Sequence, residues 1–362
     1  MKLKTTELKE LVVKASKGVG DNKLIPITSL MGIDAVGNQL LLTTTDGVNY
    51  LYVSGQLSEE VDPFNVIVDA DKFAKLISKL TCEYVSLELT EDYLEVVGNG
   101  NYQLELPLDE NGKVVKYPNP IEKFFEDKGE EVKKTIPFST IQDMIIKVRP
   151  SLSNTLEVPC YTNYYVGDKV VGTDTFKIAG LNKEVLDTPC LISSGMVDIL
   201  SVIDSEEVDI VIKDNKIVFK TNNVIVYGVM PSGIEDYQIS AIEGLLTSDF
   251  DSYCKISKQE LLQVLDRLSL FVGAYDRNCV ELNFGTDSLQ VSSKNASGTE
   301  TLKYLESDNA IEFICNIDIE MLQAQVKAQT SEVVELWYGK DNAIKMVDGD
   351  LVQIVALLEE LK

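Results

Sequence analysis

A chain of 362 residues outgrows a single hydrophobic core, so two or three domains are expected. With 44% hydrophobic residues it has the make-up of a soluble globular protein, and no run approaches the roughly 20 apolar residues that cross a bilayer. A formal charge of −25 argues against nucleic-acid binding by the surface as a whole. The complete lack of histidine removes every Ser-His or Cys-His nucleophilic pair and the commonest metal ligand.

The opening stretch, Met1–Glu7, lacks an apolar leader, which points to the cytoplasm. Cys82, Cys160, Cys190, Cys254, Cys279 and Cys315 are spread too widely for a zinc knuckle or a redox pair, so reduced thiols in the core are expected. No cofactor, metal or membrane contact is expected.

Apolar residues at i, i+3, i+4 and i+7 mark one helix face, and six segments carry that stripe. In chain order they are Leu8, Leu11, Val12 and Ala15; Phe73, Leu76, Ile77 and Leu80; Ile141, Met144, Ile145 and Val148; Met196, Ile199, Leu200 and Ile203; Leu261, Val264, Leu265 and Leu268; and Ile319, Leu322, Gln323 and Val326. Each helix is followed by alternating, strand-like sequence broken by a short polar turn. The predicted turns are Val36–Gln39, Thr90–Asp92, Gly167–Lys169, Lys213–Lys216, Gly285–Asp287 and Gly339–Asn342. Helix, hairpin, helix, hairpin thus occurs three times. The expected fold class is α+β, with three tandem repeats of two helices backed by antiparallel sheets at residues 1–120, 130–245 and 250–362. The charged stretches Asp109–Lys134 and Ser232–Asp251 read as boundaries between repeats.

Charge is segregated along this pattern. The six helix windows sum to +1, from +3 over residues 1–24 to −4 over residues 194–207, and the remainder carries −26. If the helices share one wall, that wall is near neutral with scattered cations and the sheets are strongly acidic. Such a wall would hold a polyanion without gripping it. The candidate cations are Lys9, Lys14, Lys17, Lys23, Lys72, Lys75, Lys79, Lys147, Arg149, Lys258 and Arg267. Six such domains would place twelve helices, packed about 8–10 Å apart, around a circle about 30–38 Å across, wide enough for duplex DNA. Three domains per chain then imply a closed dimer.

Short motifs in the right order carry a family resemblance. Gly172–Ala179 (G-T-D-T-F-K-I-A) is similar to the second-domain segment A-T-D-G-H-R-L-A of the bacterial sliding clamps, the β subunits of DNA polymerase III. Thr43–Asp46 resembles the matching first-domain turn, Leu24–Ile27 the L-P-I step, and Glu235–Tyr237 the P-D-Y that closes the second domain.

The resemblance implies a ring-shaped homodimer of the DNA-clamp fold. It would encircle double-stranded DNA without sequence preference, and DNA polymerase and a clamp loader would dock through short peptides. It also implies a partner-peptide cleft walled by Val158, Thr173, Thr175, Phe176, Lys177 and Ile178 on one side and Leu357 and Leu358 on the other. Across the dimer interface Tyr102 and Leu104 would face Phe271 and Val272. The family's G-H-R is Thr175-Phe176-Lys177 here, and its C-terminal M-P-M-R-L is replaced within Ala356–Lys362, so the cleft is expected to be reshaped.

Two other readings compete. One is a protein-only scaffold of the same fold. The other is a carboxylate-dependent enzyme using Asp69 and Asp71, although both sit where acids favour a helix N-terminus. Gly18-Val19-Gly20 and Gly98-Asn99-Gly100 are incomplete as nucleotide fingerprints.

Overall fold

A computed structural model describes residues 1–108, 111–293, 297–308, 311–340 and 342–359. The described α-helices, in chain order, are α1 (Thr5–Ala15), α2 (Ala70–Lys79), α3 (Pro120–Glu126), α4 (Phe138–Asp143), α5 (Ser194–Leu200), α6 (Ile239–Leu246), α7 (Lys258–Leu268) and α8 (Ile319–Ala328). The chain divides into two compact units, Met1–Ile141 with Gly195–Met230 and Gln142–Ser194 with Pro231–Lys362. The cuts fall within α4 and α5.

In the first unit, α1 packs against α2. Leu8, Val12 and Ala15 meet the sheet side together with Phe73 and Ile77, all fully buried. Each of these side chains other than Ala15 contributes about 1.5–3 kcal/mol by leaving water. One sheet has four strands, ordered Lys2–Lys4, Tyr84–Leu89, Tyr93–Val97, Asn101–Glu105. The other has six, ordered Leu30–Thr45, Tyr50–Asp69, Val224–Val229, Lys216–Lys220, Glu207–Lys213, Val132–Pro137. Helix α3 seats Ile121 and Phe124 on the six-stranded sheet against Tyr52, Val211, Val218 and Tyr227. Beneath it Lys213, 5% exposed, donates to the carbonyls of Phe124 and Asp127 at 3.0 and 2.8 Å. That places a cation at the negative end of the helix.

In the second unit, α7 packs against α8. A nine-stranded sheet runs in the order Cys190–Ser193, Asn163–Val166, Val170–Thr173, Lys177–Leu181, Leu351–Ala356, Ala343–Asp348, Val333–Tyr338, Ser252–Ser257, Glu306–Asp308. A four-stranded sheet is ordered Thr299–Lys303, Ser288–Ser293, Cys279–Phe284, Phe313–Asp318. One core joins Leu261, Val264, Leu265 and Leu268 of α7 to Leu322 and Val326 of α8 and to both sheets.

Five predicted turns connect paired strands where expected, although Asp341 of the last lies outside the described residues. The sixth is corrected. Val36–Gln39 is a bulge inside one long strand, with Ala35 opposite Phe64, Gly37 opposite Val61 and Gln39 opposite Gln56. Gly37 takes φ +62°, and across it the fully buried positions switch from Ile33 to Leu40 and Leu42. Between Ala35 and Gln39 the partner strand runs the longer path from Phe64 to Gln56, and such an irregularity in the pairing accompanies the change of parity. The chain reverses instead at Asp46–Asn49.

Two helices also differ from expectation. The 141–148 stripe is not one α-helix: α4 gives way to a π turn over Met144–Val148 and a 3-10 turn over Arg149–Ser151. Pro150, lacking an amide hydrogen, opens the tighter turn. In α8 the buried polar residue is Gln325, not Gln323. Its amide donates to Ser151 Oγ at 2.8 Å and its side-chain oxygen accepts from Gln353 at 2.7 Å, so the burial leaves no unmet partner there.

Candidate functional site

The cations expected to meet phosphate fall into two groups. Lys9 on α1 donates to the carbonyl of Leu80 at 2.6 Å, and Lys258 on α7 donates to the carbonyl of Gln329 at 2.5 Å. Leu80 and Gln329 are the C-caps of α2 and α8, so the two lysines do the same work in two repeats. Lys14 pairs with Asp204 and holds its carboxyl below the usual range. Lys75 pairs with Asp71, and Arg267 grips Glu300 with both Nε and Nη2.

Burial pushes the Asp143 carboxyl up, but hydrogen bonds from Lys183 and Lys147 outweigh it and leave it below its ordinary value. Arg149 is half-buried and also partnered. Lys17, Lys23, Lys72 and Lys79 are the exposed candidates without a side-chain partner among the described residues. All four belong to the first repeat. Asp69 is the N-cap of α2, accepting from the Lys72 amide at 2.8 Å, and Asp71 pairs with Lys75, so both acids of the enzyme reading are engaged in structural contacts.

The expected cleft divides in the same way. Thr175, Phe176, Leu357 and Leu358 line one open cleft of about 690 Å³, together with Met321, Arg277 and Asp318. The backbone fixes its walls: Ala356 N donates to Phe176 O at 2.8 Å, Leu357 N to Asn342 O at 2.9 Å and Leu358 N to Asn316 O at 2.8 Å. Phe176 projects 56% exposed at the mouth. Asp318, raised by burial, is occupied in capping α8.

The rest of the second-domain wall is not open. Thr173 is 2% exposed, and its hydroxyl donates to Lys177 O. The Lys177 ammonium is held by Pro150 O at 2.7 Å and Asp174 at 2.9 Å. Ile178, 5% exposed, lies in a core with Ile242 and Leu246 of α6, and Val158 packs on the same core. The end of the tail, Glu360–Lys362, lies outside the described residues.

Of the expected interface residues, Tyr102 (37% exposed) and Leu104 sit on Asn101–Glu105, the edge strand of the first unit's four-stranded sheet. Phe271 is 51% exposed and Val272 half-buried in the segment after α7. The sequence reading missed Leu270 and Tyr275 beside them, 81% and fully exposed. A run of large apolar residues just past a helix end was the available signal.

Solved structures carry the same architecture over 99% of this chain and 99% of theirs. The β subunit of DNA polymerase from Streptococcus pyogenes matches with a TM-score of 0.85 at 17% identity, and the sliding clamp of Bacillus subtilis with 0.82 at 18%. The fold is therefore that of the sliding clamps. In sequence, the beta sliding clamp of Bacillus subtilis is 24% identical over 330 residues, covering 83% of this chain and 82% of that protein. Residues 1–115 match the family described as DNA polymerase III beta subunit, N-terminal domain. The chain is thus similar to those β subunits along most of its length, at low sequence identity. Among the described residues no helix is long and apolar enough to cross a membrane, and no group of acids or cysteines is arranged to hold a metal ion.

Proposed function

We propose that this chain is a DNA sliding clamp: two copies close into a ring around duplex DNA and tether a polymerase through a short peptide, without chemistry of their own. The whole-length match to sliding clamps carries the reading. The helix faces support it. Most of the candidate cations are engaged within the chain, leaving Lys17, Lys23, Lys72 and Lys79, all in the first repeat, as a small number of contacts that hold phosphate weakly.

The test is retention on nicked circular DNA. A topological clamp stays on the circle and runs off once the DNA is linearised, whereas a surface binder is indifferent to ends. Equal retention on both substrates would sink the proposal and favour a scaffold. Closure is assigned to the Asn101–Glu105 edge of one chain meeting the Phe271 region of the other. Leu104→Asp or Phe271→Asp is expected to yield monomers in sedimentation, and a dimeric variant would reject that interface.

A further inference from the structure

The stretch Ser232–Asp251, which reads in sequence as a boundary, contains a helix seated on the two strands that border the cleft. Helix α6 lies across the Lys177–Leu181 and Leu351–Ala356 strands. Ile242 and Leu246 are buried against Ile178, Val171 and Ile354. Position 180 is glycine, and a Cβ there would come within 2.6 Å of Leu246 Cδ1, so the Leu246 side chain sits where a larger residue would push it aside. Ile178 and Gly180 share one face of their strand. They continue the line that begins at Phe176, the open mouth of the cleft. A polar latch completes the seat: Glu243 on α6 accepts from Lys169 at 2.6 Å, and Lys345 donates to Ser248 O at 3.0 Å.

We propose that α6 is the resident occupant of the inner half of the partner cleft, so that only its outer half, between Phe176 and Leu357–Leu358, takes an apolar side chain from a partner. The partner is then a short peptide with one apolar anchor, and a second anchor further along the peptide finds its place filled. This rests on the peptide-cleft reading given above. The commitment to a peptide follows from continuity. The site α6 fills and the site left open are lined by one pair of adjacent strands, and an eight-residue helix of about 12 Å covers what a few extended residues would cover.

The test uses the full-length protein and two fluorescent peptides, one with a single leucine and one with that leucine plus a second four residues away. Wild type is expected to bind the two within about twofold. Leu246→Ser, which unseats the helix, is expected to raise affinity for the two-leucine peptide about tenfold or more and leave the one-leucine peptide unchanged, as burial of one further leucine implies. Glu243→Gln, a gentler change that only releases the latch, should move the same ratio in the same direction. A wild-type protein that already prefers two leucines tenfold, or a ratio unmoved in both variants, overturns the inference. Phe176→Asp separates the two levels of argument. If it abolishes binding while the ratio is unmoved, the cleft stands and the occupancy of α6 falls. If wild type binds neither peptide, or Phe176→Asp changes nothing, the cleft reading falls and takes this inference with it.

Discussion

The same five-residue turn is built twice, at Thr45–Asn49 and at Thr173–Lys177. In the first, Asp46 Oδ1 accepts from the amides of Val48 and Asn49 at 2.8 and 2.7 Å, and Thr45 Oγ1 donates to Asn49 O at 2.6 Å. In the second, Asp174 Oδ1 accepts from Phe176 and Lys177 at 3.0 and 2.7 Å, and Thr173 Oγ1 donates to Lys177 O at 2.8 Å. The middle residue is left-handed in both, with φ +98° at Gly47 and +79° at Thr175. Glycine takes that conformation freely, whereas a β-branched residue does so at a cost. The outward residue is Val48 in one turn and Phe176 in the other, almost equally exposed at 57% and 56%. One hydrogen-bond pattern is thus used twice, and the second copy borders the cleft.

The sharpest way to break the comparison is at the tips. Phe176→Asp is expected to lower affinity for a leucine-bearing peptide about a hundredfold, because it loses a large apolar contact and buries a charge, while Val48→Asp leaves binding unchanged in fluorescence titration. Equal effects would mean that the first turn also borders a binding site. Next in size is the anchoring acid. Asp174→Ala removes two bonds from backbone amides to a carboxylate and the pair with Lys177, and should cost about 2–3 kcal/mol in chemical denaturation. The smallest effects lie at the middle residue. Gly47→Thr should destabilise by about 1–2 kcal/mol through its φ angle alone, since a Cβ there meets only ordinary contacts. Thr175→Gly should stabilise by less than about 1 kcal/mol, because glycine also loosens the unfolded chain. A loss of stability on Thr175→Gly would show that the threonine side chain makes up for its backbone.

The repeat was legible in sequence because helices and hairpins write their periods directly into the residues. Leu261, Val264, Leu265 and Leu268 are all buried where the stripe placed them, and Gly, Asn and Asp marked most of the reversals. Val36–Gln39 misled because a bulge and a turn both favour a glycine with positive φ, and only the pairing partners tell them apart. The division of the lysines could not be read, since Lys9 meets a carbonyl 71 positions away and Lys258 meets another at the same separation. Those distances are properties of packed helices, not of a local pattern. The cleft was half legible for a similar reason. Phe176 and Leu357 were named from the family resemblance, but Ile239–Leu246 reads as a connector until the Gly180 seat is seen.

The lysines tied to helix ends have a consequence for how tightly such a protein would feel ionic strength. Each lysine that neutralises a phosphate releases a counterion, steepening the logarithmic fall of affinity with salt by about one unit. Lys9 and Lys258, held at carbonyls of their own chain, keep their charge but are not free to swing out toward phosphate, and so add less to that slope than an unengaged lysine. A clamp with so few unengaged cations among the candidates for phosphate contact would keep hold of DNA through enclosure, and that hold would persist in salt strong enough to strip away an ordinary electrostatic binder.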